Sequence, residues 1–266
     1  MVTTIPVIES SLITPKVRLI SMDQPWEWLG AGWKDLWRVP SASIVYGLLF
    51  VIMGYLMVYL VEGQFQYALA MTTGFLLAGP FLAMGLYDIS RRLEAGESAT
   101  LGHALTAWRH NALPIFLFGV VIGLLMIIWA RLSAALFGVI VGGRDLSLDS
   151  SAAQIFFSGS GLTFLLVFTV VGAVIAAAVF AISVVSIPMM LDRKTDFITA
   201  ILTSLTAVRA NPAPMALWAM LIVIFTGIGL VTFYLGLAIA LPLIGHATWH
   251  AYRSLVEDSD LEQQPL

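Results

Sequence analysis

Residues 44–61 read IVYGLLFVIMGYLMVYLV, a run with no charged side chain. A helix rises about 1.5 Å per residue and the hydrocarbon layer of a bilayer is about 30 Å thick, so a run of this kind reads as a membrane span. Outward from it, Glu62-Gly63-Gln64 marks a short turn, and Tyr67–Tyr87 is a second span, stopped by Asp88 and Arg91-Arg92. Leu113–Ala130 is a third, its apolar character continuing past Arg131 to Val141. Gly142-Gly143-Arg144-Asp145 then opens a polar loop that runs to about Gly161, and Leu162–Leu191 is a fourth span, stopped by Asp192-Arg193-Lys194. The last apolar block, Pro214 to about Trp249, is too long for one helix and is expected to form two, turning near Thr232–Tyr234. One tilted or broken helix is the competing reading. The expected fold is all-α: a polytopic membrane bundle of six transmembrane helices in three hairpins, with interfacial helices on the cytoplasmic side.

Composition supports this. Of 266 residues, 59% are hydrophobic and 11% charged, whereas soluble domains carry about 25% charged residues. The chain has no cysteine, which excludes disulfides, thiolate metal sites, iron–sulfur clusters and a cysteine nucleophile. Residues 1–23 hold no apolar run of signal-peptide length and are expected to be a flexible cytoplasmic tail. The transmembrane domain is expected over 24–253, and 254–266 as an acidic, frayed C-terminal tail.

Orientation follows from lysine and arginine. Of the thirteen, Lys16, Arg18, Lys34, Arg38, Arg91, Arg92, Arg109, Arg193, Lys194, Arg209 and Arg253 fall on one side of the six-span arrangement. Only Arg131 and Arg144 fall at or beyond the other. The first side, with both termini, is therefore expected to be cytoplasmic.

A threefold pattern runs through the chain. A basic residue and a proline lead into the first, third and fifth spans: Arg38-Val39-Pro40, Arg109-His110-Asn111-Ala112-Leu113-Pro114 and Arg209-Ala210-Asn211-Pro212-Ala213-Pro214. Proline suits a helix start, where its missing N–H is not needed. Each second span carries a proline near its cytoplasmic end, at Pro80, Pro188 and Pro242, where it can kink a helix. The segments before the spans are amphipathic. Ile198, Ile201, Leu202, Leu205 and Val208 share a helical face with Asp196 as N-cap, and Trp26, Leu29, Trp33 and Leu36 share another. Both are expected to lie at the headgroup layer or under the bundle.

Chemistry is sparse. The spans lack Asp, Glu, Lys and His in their central parts, which counts against an ion-coupled transporter. Arg131 is expected at the outer headgroup boundary, with anion binding as the sharper alternative. Gly74-x-x-x-Ala78, Gly79-x-x-x-Ala83, Gly119-x-x-x-Gly123 and Gly172-x-x-x-Ala176 suit close helix packing. His246 and His250, at i and i+4, share a face and are weak metal-ligand candidates, with His103 and His110 as the only other histidines. Asp88, Arg91, Arg92 and Glu94, with Arg109 and Arg253, are expected to form an ion-pair network or to meet anionic lipid. Arg38, Arg91, Arg92, Arg109, Arg209 and Arg253 are the expected contacts to lipid headgroups or to a partner. No phosphate loop, nucleophile motif or nucleic-acid module is present, so no catalytic residue, cofactor or nucleic-acid partner is expected.

Three stretches carry a resemblance: GPFLAMGLYDISRRLEAGE at 79–97, SIPMMLDR at 186–193 and LPLIGHATWHAYR at 241–253. They resemble an uncharacterised family of predicted integral membrane proteins, found mainly in proteobacteria, over about Trp26 to Glu257. The resemblance implies an inner-membrane location and supplies no active residues. Some members carry labels as cytochrome c oxidase components. A haem–copper core needs several intramembrane histidines, and the four here lie near span ends, so the label fits only an accessory or assembly role. The expected function is a non-catalytic subunit or scaffold of a larger membrane complex. A small-molecule or lipid transporter or channel is the alternative, and a metal- or haem-binding membrane protein the second.

Overall fold

A computed structural model describes residues 7–8, 15–60, 71–75, 78–142 and 158–257. The turn at Glu62-Gly63-Gln64, part of the Tyr67–Tyr87 span, most of the loop around Arg144 and the tail beyond Glu257 lie outside the described residues. The described chain is helical apart from a two-residue antiparallel pairing of β1 (Val7–Ile8) with β2 (Val17–Arg18). Helices α1 (Gln24–Arg38), α2 (Pro40–Leu60), α3 (Met84–Glu94) and α4 (Leu101–Thr106) come first. A 3₁₀ turn at Ala107–Asn111 then leads into α5 (Ala112–Ile140). After it come α6 (Gly159–Ser183), α7 (Ser186–Asp192), α8 (Phe197–Ala210), α9 (Pro212–Val231) and α10 (Leu237–Leu255).

Four helical stretches are long and apolar enough to cross a membrane: Pro40–Leu60, Leu101–Ile140, Gly159–Asp192 and Pro212–Val231. They cover the third, fourth and fifth spans read from sequence and the first as far as Leu60, Val61 lying outside the described residues. The last apolar block is two helices, so the single-helix reading is set aside. The break covers Thr232–Gly236, where Phe233 and Tyr234 adopt φ of 54° and 66°. Such left-handed conformations cost about 1–3 kcal/mol at bulky residues. The Thr232 hydroxyl fastens the turn, donating to Gly229 O at 2.9 Å and accepting from Gly236 N at 3.0 Å.

The chain forms two compact units. One comprises Met1–Val51, Pro80–Phe118 and Phe180–Leu266. Within it α1 packs along α10, and Gly32 is required there because a Cβ would lie 2.6 Å from Ala247 N. Trp28 of α1 meets Trp218 of α9 edge-on, with ring centroids 5.6 Å apart. Prolines set two of the junctions. Pro242 within α10 lacks the N–H that Ala238 O would accept, and Gly47 of α2 lies against that carbonyl and the proline ring. Pro188 likewise cannot serve Val184, and α6 and α7 are separated at 184–185. Ser204 of α8 repairs the break, accepting from Val185 N at 3.2 Å and donating to Ala181 O at 2.7 Å.

The amphipathic segments face the opposite way from helices of a soluble protein. α8 buries Ala200, Thr203, Ser204 and Ala207 and exposes Ile198 and Leu202. Asp196 caps it as expected, accepting from Ile198 N and Thr199 N at 2.9 Å, an arrangement that contributes about 1 kcal/mol. In α1 the stripe expected at Trp26, Leu29, Trp33 and Leu36 divides. Leu36 is buried, while Trp26, Trp33 and Trp37 form an exposed aromatic ridge.

The described parts of the two expected tails make defined contacts. Residues 15–20 pack onto the fold, whereas Ser21, Met22 and Asp23 are exposed. Val17 is buried and bridges Val256, Ile20 N donates to Asn211 Oδ1 at 2.9 Å, and Asn211 Nδ2 donates to Arg18 O at 3.0 Å. Residues 254–255 complete α10, and Glu257 N donates to Lys16 O at 3.1 Å.

The other unit comprises Ile52–Gly79 and Gly119–Val179. Its core is Trp129, whose indole N–H donates to Thr73 Oγ1 at 2.8 Å and whose ring lies 4.8 Å from Phe168. Gly74 and Gly172 pack within the unit, Gly172 directly against the Trp129 ring, whereas a Cβ at Gly123 would meet open space.

Candidate functional site: a buried serine–histidine–aspartate chain

His246 sits one turn beyond Pro242 on α10, fully buried. A buried imidazole requires partners for both ring nitrogens. Here both are hydroxyls. Nε2 lies 2.9 Å from Ser43 Oγ of α2, and Nδ1 lies 2.8 Å from Ser90 Oγ of α3. Ser90 in turn donates to Asp35 Oδ2 of α1 at 2.8 Å, and His250 Nε2 reaches the same oxygen at 2.7 Å. Five side chains from four helices thus form one continuous hydrogen-bonded chain, closed at Ser43 and opening toward the partly exposed His250.

The direction of its protons follows from the carboxylate. Asp35 only accepts, so the Ser90 hydroxyl points toward Asp35 and accepts from Nδ1–H of His246. With a neutral ring, Nε2 then accepts from Ser43. Burial pushes the Asp35 carboxyl up, but hydrogen bonds from His250 and Ser90 and the electrostatic attraction of His250 outweigh it, leaving its pKa below the ordinary value. A depressed folded-state pKa stabilises the fold above the unfolded value of about 3.9, and that contribution is lost as pH falls through the folded value. Asp35→Asn is therefore expected to lower thermal stability at pH 7 and to make the decline in acid, below about pH 4, less steep. Melting the detergent-solubilised protein across pH checks both; an acid limb of unchanged steepness would refute the assignment.

Beside this chain lies a belt of ion pairs. Asp88, buried in α3, accepts from Arg91 at 2.7 and 3.0 Å and from Arg92 at 3.0 Å. Glu94 accepts from Arg253 Nε at 3.0 Å and from the Trp249 indole at 2.7 Å. Asp192 accepts from Tyr252 at 2.6 Å, whose hydroxyl also receives Arg193 Nε at 2.9 Å. These bonds bring α3, α7 and α10 together at their basic ends.

The expected site residues are distributed unevenly. Arg91, Arg92 and Arg253 join the ion-pair belt. Arg38 lies 3.8 Å from Asp35 with its side chain 64% exposed, Arg209 is exposed, and Arg109 stacks 5.4 Å from the Trp108 ring centroid. Arg131 is exposed on α5. His246 and His250 do share a face, and their bonded ring nitrogens meet Ser43, Ser90 and Asp35. His110 donates from Nδ1 to Ala107 O and lies near Arg91 instead. Among the described residues no group of three or more His, Cys, Asp or Glu could hold a metal ion. Sequence reasoning missed Ser43, Ser90 and Asp35. The one available signal was Asp35, an acid on the face of α1 opposite its exposed tryptophans.

The arrangement is not a hydrolase triad. In such a triad the carboxylate orients the imidazole directly. Here Ser90 intervenes, and Ser43 is wholly buried. What the chain can do is hold a proton and join four helices.

No curated protein and no solved structure matches this chain. A family model matches residues 68–192, a shorter stretch than the expected 26–257 that leaves out LPLIGHATWHAYR. Over residues 68–192 the chain is similar to the family described as "Predicted integral membrane protein (DUF2189)", whose function is unknown, and an integral membrane protein contacts the lipid bilayer.

Proposed function

We propose that the chain is a six-span inner-membrane protein, built as three hairpins with both termini cytoplasmic, that serves as a non-catalytic accessory, assembly or scaffold subunit of a larger membrane complex. The observation carrying this reading is how little of its most apolar helix the chain covers. Only 11% of the apolar window within Gly159–Asp192 is buried. Association between membrane helices depends on close packing of such faces, and a helix left this bare suits partner helices. Basic residues concentrated at one end support the orientation. A respiratory oxidase is one such complex. The test is purification from native membranes in mild detergent, with alkaline phosphatase fusions at each terminus. A partner at fixed stoichiometry and inactive fusions are expected; a chain that always runs alone, or an active terminal fusion, overturns the reading.

The buried Ser43–His250 chain favours a second reading, transport coupled to protons. Proteoliposomes showing pH-driven uptake that is lost in His246→Ala would favour it over the first.

A further inference from the structure

We propose that the groove at the start of α5 is a binding site for one anionic glycerophospholipid, its acyl chain lying along the groove and its phosphate held by Arg109. The groove has a volume of about 430 Å³ and is lined by Phe81, Trp108, Ala112, Leu113, Ile115 and Phe116, without a polar side chain other than the Trp108 indole. Leu113 and Phe116 form an exposed rim, while Ile115 is buried and forms the floor.

Charge marks the occupant. The 3₁₀ turn Ala107–Asn111 places Arg109 directly after Trp108, with its guanidinium over the indole ring. Stacking holds the cation beside the groove and leaves its donors free for a planar, bidentate contact with phosphate oxygens. Among the described residues no carboxylate pairs with Arg109, in contrast to Arg91, Arg92 and Arg253. The turn is itself anchored, since Asn111 Nδ2 donates to Met190 O at 3.2 Å and Thr195 O at 2.8 Å. An apolar trough beside a fixed, carboxylate-free arginine at the end of a membrane-spanning helix matches an anionic lipid, whose chain and headgroup are joined at that depth. A zwitterionic lipid fills the trough equally well and gains less from the arginine.

The test uses the full chain, delipidated in mild detergent and titrated with phosphatidylglycerol or phosphatidylcholine, with bound lipid counted by native mass spectrometry. One phosphatidylglycerol is expected, preferred about fivefold, as one arginine near a lipid headgroup provides. Arg109→Gln is expected to abolish the preference, Ala112→Phe to reduce retention of both lipids, and Lys34→Gln, at an exposed position on α1, to change neither. Leu113→Gln, on the exposed rim, replaces Ala112→Phe if that variant does not fold. Equal retention of both lipids by the unaltered chain, a preference that survives Arg109→Gln, or an equal loss in Lys34→Gln overturns the proposal.

Discussion

Asp88→Asn is expected to be the most damaging single substitution in the ion-pair belt. Asp88 is fully buried and is the shared acceptor of two guanidiniums, those of Arg91 and Arg92, whose side chains are themselves mostly covered. Asparagine keeps the shape and removes the charge. The two arginines then remain close together without a counter-charge, and removing one partner of a buried pair costs about 3–5 kcal/mol. For a chain of this size that is a fall of roughly 10 °C in melting midpoint, with loss of folded yield. Arg92→Gln should cost much less. Asp88 keeps Arg91, and the Arg92–Glu97 contact at 3.1 Å involves a half-exposed carboxylate worth little. Thermal unfolding in detergent, followed by size-exclusion, ranks the variants; a midpoint for Asp88→Asn within 2 °C of the unaltered chain, on the scale of about 1 kcal/mol or less, would sink this account.

The ease of reading differed by level. The run at 44–61 is legible because span length and lack of charge are local properties. The turn after Val231 is legible because no single helix needs so long an apolar block. Asp196 is legible because capping is decided within four residues. The Arg-x-Asn-x-x-Pro entries at 109–114 and 209–214 were visible as a pattern, but their work was not. Asn111 binds the backbone at Met190 and Thr195, and Asn211 binds it at Arg18 and Ile20. The faces of α1 and α8 show a different limit. Periodicity says which residues lie side by side, not which medium that side meets. Where lipid replaces water, small residues pack inward and large apolar ones turn out, so Trp26 and Ile198 are exposed while Ala200 is buried. The serines were illegible because Ser43 and Ser90 join His246 across 203 and 156 positions of chain, and nothing local distinguishes a serine that will meet a histidine from one that will meet a carbonyl.

His246→Ala is expected to loosen the junction of α1, α2, α3 and α10 together. The substitution removes a ring from a fully buried position and leaves Ser43 and Ser90 each short of a partner. A cavity, an unsatisfied Ser43 hydroxyl and a lost donor to Ser90 act in the same direction, with a combined cost of roughly 3–5 kcal/mol. The dependence on neighbours separates this from a simple packing defect. Ser43→Ala alone deprives Nε2 of its donor and should destabilise, but in the His246→Ala background its hydroxyl has no imidazole to serve, so its removal should cost nothing or help. A double-mutant cycle should therefore show coupling of at least about 0.5 kcal/mol, the signature of residues in one network. The loss should extend to α1, since Ser90 orients the Asp35 carboxylate that also binds His250. Hydrogen exchange at the α1 amides should rise in His246→Ala together with those of α10. Additive single substitutions, or exchange changes confined to α10, would show that the four helices are not joined through this histidine.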